Sequence, residues 1–509
     1  MRWLAPLVCL VASAQDAPKP TISEGAIDAY FDARWRSAQV KPGEPADDTS
    51  FLRRLTLDAA GRLPTPDEVR LFGDDKSADK RAKAIDRLLA SEEFAEYVSD
   101  VWLDALVDHE VTNQDFARAH FGAFRSWLRR AVHEDIPYSE FVRSLVADRG
   151  GRHEKPAVNY ALKHLGTDQL PVKLAIMNAR LFLGRDIRCA QCHDHPFDTM
   201  TQDEFWGFAN FMRPLRNRGA LVDIGLRYDG APREDIGELF VKPKFFDGEE
   251  PREDEPLGDA LARFILSTTD SLHARAYVER VWKQLFSRTL TDAKGRGHRE
   301  LLDRLTRDFV AGGESPKKLW RAILRSRVYQ MSSAGKETAR AAYAAGPLKV
   351  MNPQQYFNVF QEVFDLREAH KTMYEKLYKN PNAGEQFRDP QVMRMMMFDW
   401  AQDLLFPKGR SPEEANASTT VRMAMKFMNN KRVLSMMIWQ WGTLKKVLNR
   451  KSKPSDRIDE LFLAMLSRKP TADERATFVD YIREASDDKK AYEDVLWVLI
   501  NSAEFLFVH

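Results

Sequence analysis

Hydrophobic residues recur every three or four positions along most of the chain, which places them on one face of an α-helix. The stretches Ala274 to Leu285 and Leu301 to Val310 show this period. The period is lost between Gly219 and Pro256, where Leu239 to Asp247 has the composition of extended chain and Glu249 to Glu255 is acidic and bounded by proline. The pattern predicts a mostly α, multi-helical two-domain protein with a short extended, β-containing segment between the halves.

The length of the chain also favours two domains, because 509 residues exceed what one hydrophobic core usually serves. We place an N-terminal helical domain at residues 49–220 and a C-terminal helical domain at residues 258–509. A polar segment with a first helix, residues 15–48, precedes both domains. Residues 221–257 form the extended and acidic linker region between them.

The first 14 residues have the features of a cleaved secretory signal peptide. Arg2 supplies a positive charge, Leu4 to Ala12 is apolar, and Ala12-Ser13-Ala14 has the small residues of a cleavage site. Cleavage before Gln15 removes Cys9, so the mature chain keeps two of its three cysteines. Nowhere else does the sequence approach the roughly 18 consecutive apolar residues of a membrane span. We therefore expect an exported protein, periplasmic or extracellular, without a transmembrane segment.

Capping residues locate several helix starts. Thr65-Pro66-Asp67-Glu68 and Thr471-Ala472-Asp473-Glu474 are capping boxes, and each follows an Arg-x-Pro tripeptide. Further along, Ser91 and Ser502 each begin a Ser-x-x-Phe segment. A duplicated helical hairpin explains this repetition, and so does the independent use of a good helix start; both explanations stay open.

The charge balance and the absence of known catalytic motifs exclude several functions. Lys and Arg number 77 and Asp and Glu number 75, which argues against a protein that binds nucleic acid along its whole surface but leaves a local basic patch open. We find no G-x-S-x-G, H-E-x-x-H, P-loop or EF-hand pattern, and the sequence assigns no catalytic residues. A redox or protein partner is expected, but the sequence does not specify it.

The most informative segment is Cys189-Ala190-Gln191-Cys192-His193, the C-x-x-C-H pattern of covalent haem attachment. Two thiols one helical turn apart can reach the two vinyl groups of one porphyrin edge, and His193 can bind the iron as the proximal ligand. Predicted export and the nearby aromatic residues Phe197, Phe205 and Trp206 favour this interpretation. It predicts an electron-transfer protein or one that performs a haem-dependent redox step.

Other interpretations of the same segment stay open. The two cysteines could form a disulfide, or they could bind zinc with His195, which is an alternative ligand or a residue that orients one. Either would make the segment a structural clip in a non-enzymatic binding or scaffold protein. Met200 is a weak candidate for the sixth haem ligand, because its place before the Thr201 cap and Phe205 is typical of a hydrophobic staple. Under the haem and the clip interpretations alike, replacing Cys192 is expected to harm folding.

Several of these segments resemble an exported planctomycete family of unknown function, whose N-terminal domain is grouped by name with cytochrome-c-like proteins. The resemblance is carried above all by FLGRDIRCAQCHDHPFD, which contains the CAQCHDHPF motif. Other segments of the N-terminal half resemble the same domain: Phe51 to Glu68, Ile85 to Phe94 and Asp135 to Leu145. Segments of the C-terminal half resemble the domain of unknown function that usually accompanies it: Ala274 to Phe286, Leu319 to Ser332, Leu461 to Glu474 and Ala491 to His509.

The resemblance covers most of the mature chain, but it implies no particular reaction. It implies export, a mostly helical build in two domains, and a role for a short set of residues around the cysteines. That set is Cys189, Cys192, His193, His195 and Pro196-Phe197.

Overall fold

A computed structural model describes residues 22–107, 119–164, 170–196, 199–213, 215–218, 221–224, 242–268, 270–292, 295–365, 442–451 and 453–509, with Glu375, Lys379 and Arg394. The predicted signal peptide, Phe197 and part of the predicted linker region lie outside these residues. The protein is mostly helical, as the hydrophobic period predicts.

The N-terminal half contains ten helices within the described residues. They are α1 (Glu24–Ser37), α2 (Asp48–Ala60), α3 (Pro66–Asp74), α4 (Lys80–Leu89), α5 (Glu92–Val107), α6 (Phe121–His133), α7 (Tyr138–Ala147), α8 (Asn159–His164), α9 (Leu170–Phe182) and α10 (Gln202–Ala209). Two short 3₁₀ helices, Pro156–Val158 and Arg188–Gln191, accompany them.

The described part of the C-terminal half is also built from helices. They are α11 (Leu257–Leu266), α12 (Leu272–Phe286), α13 (Arg299–Ala311), α14 (Pro316–Arg325), α15 (Arg327–Gln330), α16 (Glu337–Ala341), α17 (Pro353–Val363), α18 (Thr443–Arg450), α19 (Pro454–Leu466), α20 (Ala472–Glu484), α21 (Asp488–Ile500) and α22 (Ala503–Leu506).

Two small antiparallel sheets complete the described part of the architecture. Strands β1 (Gly150–Gly151), β2 (Leu215–Arg218) and β3 (Leu221–Ile224) form a sheet in the order β1-β3-β2, with Val222 opposite both Gly150 and Asn217. Strands β4 (Lys349–Val350) and β5 (Phe507–Val508) pair near the end of the chain. Of these three strands, β3 lies in the predicted segment between the halves, and β1 and β2 lie in the predicted N-terminal domain. In the extended stretch predicted at residues 239–247, the described part contains no strand.

The capping boxes predicted at Thr65, Thr201 and Thr471 are all present. In each one the threonine hydroxyl accepts from the backbone N–H three residues later, and the glutamate there accepts from the threonine N–H. These bonds satisfy N–H groups that the first turn of a helix leaves without an intrahelical partner. A capping box at Asn352, closed by a glutamine, was not predicted.

The two Arg-x-Pro segments make matching ion-pair clusters. Arg62 donates two hydrogen bonds to Glu68 and two to Glu93, at 2.8–3.0 Å. Arg468 donates two to Glu474 and two to Glu504, at 2.7–2.9 Å, through the corresponding nitrogens. We call these sets the Arg62 cluster (Arg62, Glu68, Glu93) and the Arg468 cluster (Arg468, Glu474, Glu504). Each fastens a capped helix to the start of a later one.

The hydrophobic core continues across the predicted linker. The largest cluster of buried residues runs from Ile27 to Ala344 and therefore draws on both halves. A second cluster runs from Met351 to Val508 and also includes Leu57 and Leu63 from the N-terminal half. In the described residues, the chain thus passes from the first cluster to the second between Ala344 and Met351, well after the predicted linker region.

Buried charges of α2 connect the first and last parts of the chain. The Arg53 guanidinium, which has no exposed surface, donates to the backbone oxygens of Met465 and Phe505 at 2.9 and 3.1 Å. Asp58 pairs with Lys349 at 2.7 Å and accepts from the Tyr329 hydroxyl at 2.9 Å. Each of these buried side chains therefore has a bonding partner, which offsets part of the loss of its hydration, although the Nε of Arg53 makes no hydrogen bond to a described residue.

Membrane crossing requires a helix with both sufficient length and apolar character. None of the helices in the described ranges has both.

Candidate functional site

The cysteines lie on a short turn between α9 and α10, and buried residues beside them anchor it. After α9, Gly184 adopts a left-handed conformation with φ 65°, which is typical of a glycine that follows the end of a helix. Ile187 and Ala190 are almost fully buried, with 1% and 0% exposure. We call residues 187–196 the cysteine turn; its backbone direction is set by these apolar contacts and not by the thiols.

Three hydrogen bonds connect the cysteine turn to the start of α10. The Asp194 carboxylate accepts from the Gln202 backbone N–H at 2.8 Å, and the Gln202 side chain donates to the Gln191 carbonyl oxygen at 3.0 Å. The His195 N–H donates to the Met200 carbonyl oxygen at 2.8 Å. Because α10 is itself capped and buried, these bonds hold the turn against a rigid element.

The reactive side chains of the turn point to solvent. Cys189 and Cys192 are exposed free thiols, so the disulfide that one interpretation expected is not formed in the structure. His193 is exposed as well. All three members of the C-x-x-C-H pattern are thus accessible to a molecule that approaches from outside.

The imidazole of His193 has a defined tautomer when it is neutral. Its Nδ1 lies 2.7 Å from the Asp194 carbonyl oxygen, and because a carbonyl can only accept, Nδ1 carries the proton. The lone pair is then on Nε2. Histidines that bind metals usually donate their other ring N–H to a carbonyl or carboxylate in this way. His193 therefore has the protonation pattern of a metal ligand that uses Nε2.

The other predicted ligands lie in different surroundings. Met200 is 3% exposed and belongs to the large buried cluster together with Phe205, the arrangement expected of a hydrophobic staple. Met200 therefore packs in the core as a staple residue would, and its weak candidacy as the sixth haem ligand stays a prediction. His195 is half-buried beside the turn, and its backbone is bonded to Met200.

The aromatic residues near the motif pack into the core. Phe205 and Phe208 are fully buried, Trp206 is nearly so, and Phe208 contacts Phe246 with ring centroids 4.6 Å apart. Phe197 lies outside the described residues. Phe205 and Trp206, whose proximity to the cysteines in the sequence favoured a haem, therefore pack into the core.

Zinc and covalent haem make different demands on these side chains. A zinc site needs three or four donors that converge on one point at 2.0–2.3 Å. Among the described residues, no three His, Cys, Asp or Glu side chains converge in this way. Haem attachment does not need such convergence, because the thiols bond to the porphyrin edge while the imidazole binds the iron.

Charged residues around the turn are already paired or used as caps. Asp186 and Arg188 form an exposed pair at 2.5 Å, and the hydrogen bond from Arg188 lowers the pKa of the Asp186 carboxyl. The role of Asp194 could be suggested by its side chain, since Asp is a frequent cap. Its bond to a helix eight residues later, and the contribution of Gln202, have no signature in the sequence.

Two family models match the chain. Residues 26–217 match PSCyt2, described as a protein of unknown function (DUF1549), and residues 259–482 match PSD1, described as a protein of unknown function (DUF1553). No curated protein and no solved structure matches the chain. The cysteine turn lies wholly within the first match. The chain therefore has a two-domain arrangement in which a DUF1549 region is followed by a DUF1553 region, both of unknown function.

Proposed function

We propose that the protein is an exported c-type haem protein that serves electron transfer or a haem-dependent redox step. Cys189 and Cys192 would hold the haem covalently, and His193 would be the proximal iron ligand. A bound haem would supply one-electron redox chemistry at the surface of the DUF1549 region. Export agrees with the predicted signal peptide and with the resemblance of the CAQCHDHPF segment to a planctomycete family of exported proteins.

The observation that carries this proposal is the hydrogen bond from His193 Nδ1 to the Asp194 carbonyl oxygen. It leaves Nε2 of the neutral ring with its lone pair, next to two exposed thiols at C-x-x-C spacing. The three groups are thus suited to accept a cofactor from solvent.

A scaffold function based on a disulfide or a metal clip has less support. Gln202, Asp194 and the buried Ala190 already hold the cysteine turn through contacts that do not involve sulfur. A clip would therefore add little to the stability of this segment.

The test is haem attachment to the full chain, produced with export in a bacterial host that has cytochrome c maturation. After denaturation, the wild-type protein should give the α-band of a pyridine haemochrome, and the Cys189→Ala/Cys192→Ala variant should give none. His195→Ala is the matched control for His193→Ala. We expect His195→Ala to leave the spectrum of the native protein unchanged and His193→Ala to alter it. A wild-type protein without an α-band would refute the proposal.

A further inference from the structure

Asp194 accepts two hydrogen bonds, one from α10 and one from within the cysteine turn. Its carboxylate accepts from the N–H of Gln202, the first residue of α10, at 2.8 Å. Its carbonyl oxygen accepts from His193 Nδ1 at 2.7 Å. One residue therefore connects the start of a buried helix to the imidazole ring of the motif.

The carboxylate of Asp194 is not needed to complete the ordinary cap of α10. Thr201 and Glu204 already form a capping box there, and both side chains make their expected bonds. Asp194 adds an acceptor for a different N–H, that of Gln202, at the positive end of the helix. This additional bond fixes the position of the Asp194 backbone, and with it the carbonyl oxygen that His193 contacts.

Gln202 completes the connection from the other side. Its backbone N–H binds Asp194 and its side chain binds the Gln191 carbonyl oxygen at 3.0 Å. The residues between these two attachment points are Cys192 and His193. The part of the turn that carries the reactive groups is thus held at both of its ends by one residue of α10.

We propose that Asp194 is a positioning residue that fixes the neutral His193 ring in the Nδ1–H tautomer, so that Nε2 is ready to bind iron. The inference rests on the proposed role of His193 as the proximal ligand. Asp194 acts through the carbonyl that it places, while its carboxylate Oδ1 accepts from the Gln202 N–H. Its effect is present in the protein before any haem is attached.

The decisive measurement is the tautomer of His193 in the haem-free full chain, read from long-range ¹⁵N–¹H NMR correlations of ¹⁵N-histidine-labelled protein. His193→Gln identifies the signal. Wild type should show the Nδ1–H form. Asp194→Ala should shift the ring toward the Nε2–H form that imidazole side chains prefer in water, whereas Asp194→Asn keeps an oxygen that can accept from Gln202 and should retain most of the wild-type form. Asp203→Ala removes the same charge from the first turn of α10 and should change nothing.

A second pair of variants isolates the backbone bond. Gln202→Pro deletes the N–H that Asp194 binds, at a position where proline is well tolerated because it is the first residue of the helix. Thr201 is already in the extended conformation that precedes a proline, with φ −88° and ψ 164°. Gln202→Ala keeps the N–H and removes only the side-chain bond. We expect the tautomer shift in Gln202→Pro but not in Gln202→Ala.

The outcomes separate this inference from the proposed function. If His193 keeps the Nδ1–H form in both Asp194→Ala and Gln202→Pro, the positioning role is wrong, whether or not haem attaches. If the tautomer shifts in both variants but the wild type acquires no haem in a maturation host, the positioning role stands and the haem proposal fails. If haem attaches, Asp194→Ala should also alter the visible spectrum of the native protein, and Asp203→Ala should not.

Discussion

Two turns of this protein lead into the same kind of helix start but carry different side chains. The turn before α3 and the cysteine turn before α10 both lead into a Thr-x-x-Glu capping box. In the first, Arg62 uses its donors on two carboxylates and a backbone oxygen. In the second, Cys189 and Cys192 are exposed and unlinked. The difference shows that a capping box indicates where a helix starts but not what the turn before it does. A functional site is indicated instead by reactive side chains that the fold leaves exposed.

The Arg62 turn also occurs twice, whereas the cysteine turn has no second copy in the described residues. Arg468 repeats the contacts of Arg62 in a distant part of the chain, with the same pattern of donors and acceptors. The residues before the two arginines, Gly61 and Ser467, both adopt a left-handed conformation at the end of a helix. Such repetition is expected of a structural unit.

The largest predicted loss of stability comes from a substitution that disrupts the Arg62 cluster. Arg62→Ala removes a largely buried guanidinium and leaves the partly buried Glu68 and the exposed Glu93 without their principal partner, and we expect a loss of about 3 kcal/mol in the free energy of unfolding. Urea denaturation measures this loss. Arg87→Ala is the control, because Arg87 contacts the same Glu68 at 3.6 Å from an exposed position and should lose no more than about 0.5 kcal/mol. Equal losses in the two variants would contradict the account.

Substitutions of Met200 test whether this residue beside the cysteine turn acts as part of the core. Met200→Ala should lose about 2–3 kcal/mol, because it empties a buried position. Met200→Leu keeps the volume but cannot bind iron, and should lose less than about 1.5 kcal/mol. Urea denaturation and the visible spectrum of the native protein check both expectations. A spectrum altered by Met200→Leu would show that Met200 binds the haem after all.

The pH dependence of the free energy of unfolding should reflect the contribution of the Arg62 and Arg468 clusters. Burial alone would raise the pKa of Glu68, but hydrogen bonds from Arg62 and Thr65 outweigh it and lower the pKa to about 2. The bond from Arg468 lowers the pKa of Glu474 to about 2 as well. Since both values lie below the 4.5 of an unperturbed glutamate, the contribution is present above pH 4.5 and is lost as the pH falls toward 2. The Glu68→Gln/Glu474→Gln variant should show a flatter decline in urea midpoints over this range; an identical decline would refute the assignment.

The smallest predicted effect concerns Cys192. The sequence led us to expect that replacing it would harm folding, but the thiol is exposed and the turn is held by Asp194 and Gln202. We now expect Cys192→Ser to change the free energy of unfolding of haem-free protein by no more than about 0.5 kcal/mol. Urea denaturation under reducing conditions measures it. A loss above 1 kcal/mol would return support to a structural clip.

Sequence reasoning succeeded where the determining contacts are local. The caps at Thr65, Thr201 and Thr471 depend on residues within a few positions, so their signals can be read directly. The contacts of Arg53 could not be foreseen, because its acceptors are more than 400 residues away.

The candidate site was predicted only in part, for a related reason. The reactive residues are adjacent in sequence, but their exposure is a tertiary property. The hydrophobic period could not show that Phe205 and Phe208 face the core and not the cysteines, because an aromatic residue on a helix satisfies either arrangement. The tautomer of His193 likewise depends on where α10 places Asp194.

The central claim, that Cys189 and Cys192 carry a haem, is tested most directly by the intact mass of the denatured full chain after export from a host with cytochrome c maturation. The account predicts the mass of the mature polypeptide plus one haem, and the mass of the polypeptide alone for Cys189→Ala/Cys192→Ala. A wild-type mass without the haem increment would contradict it, and a mass two hydrogens below that of the reduced polypeptide would identify a disulfide in its place.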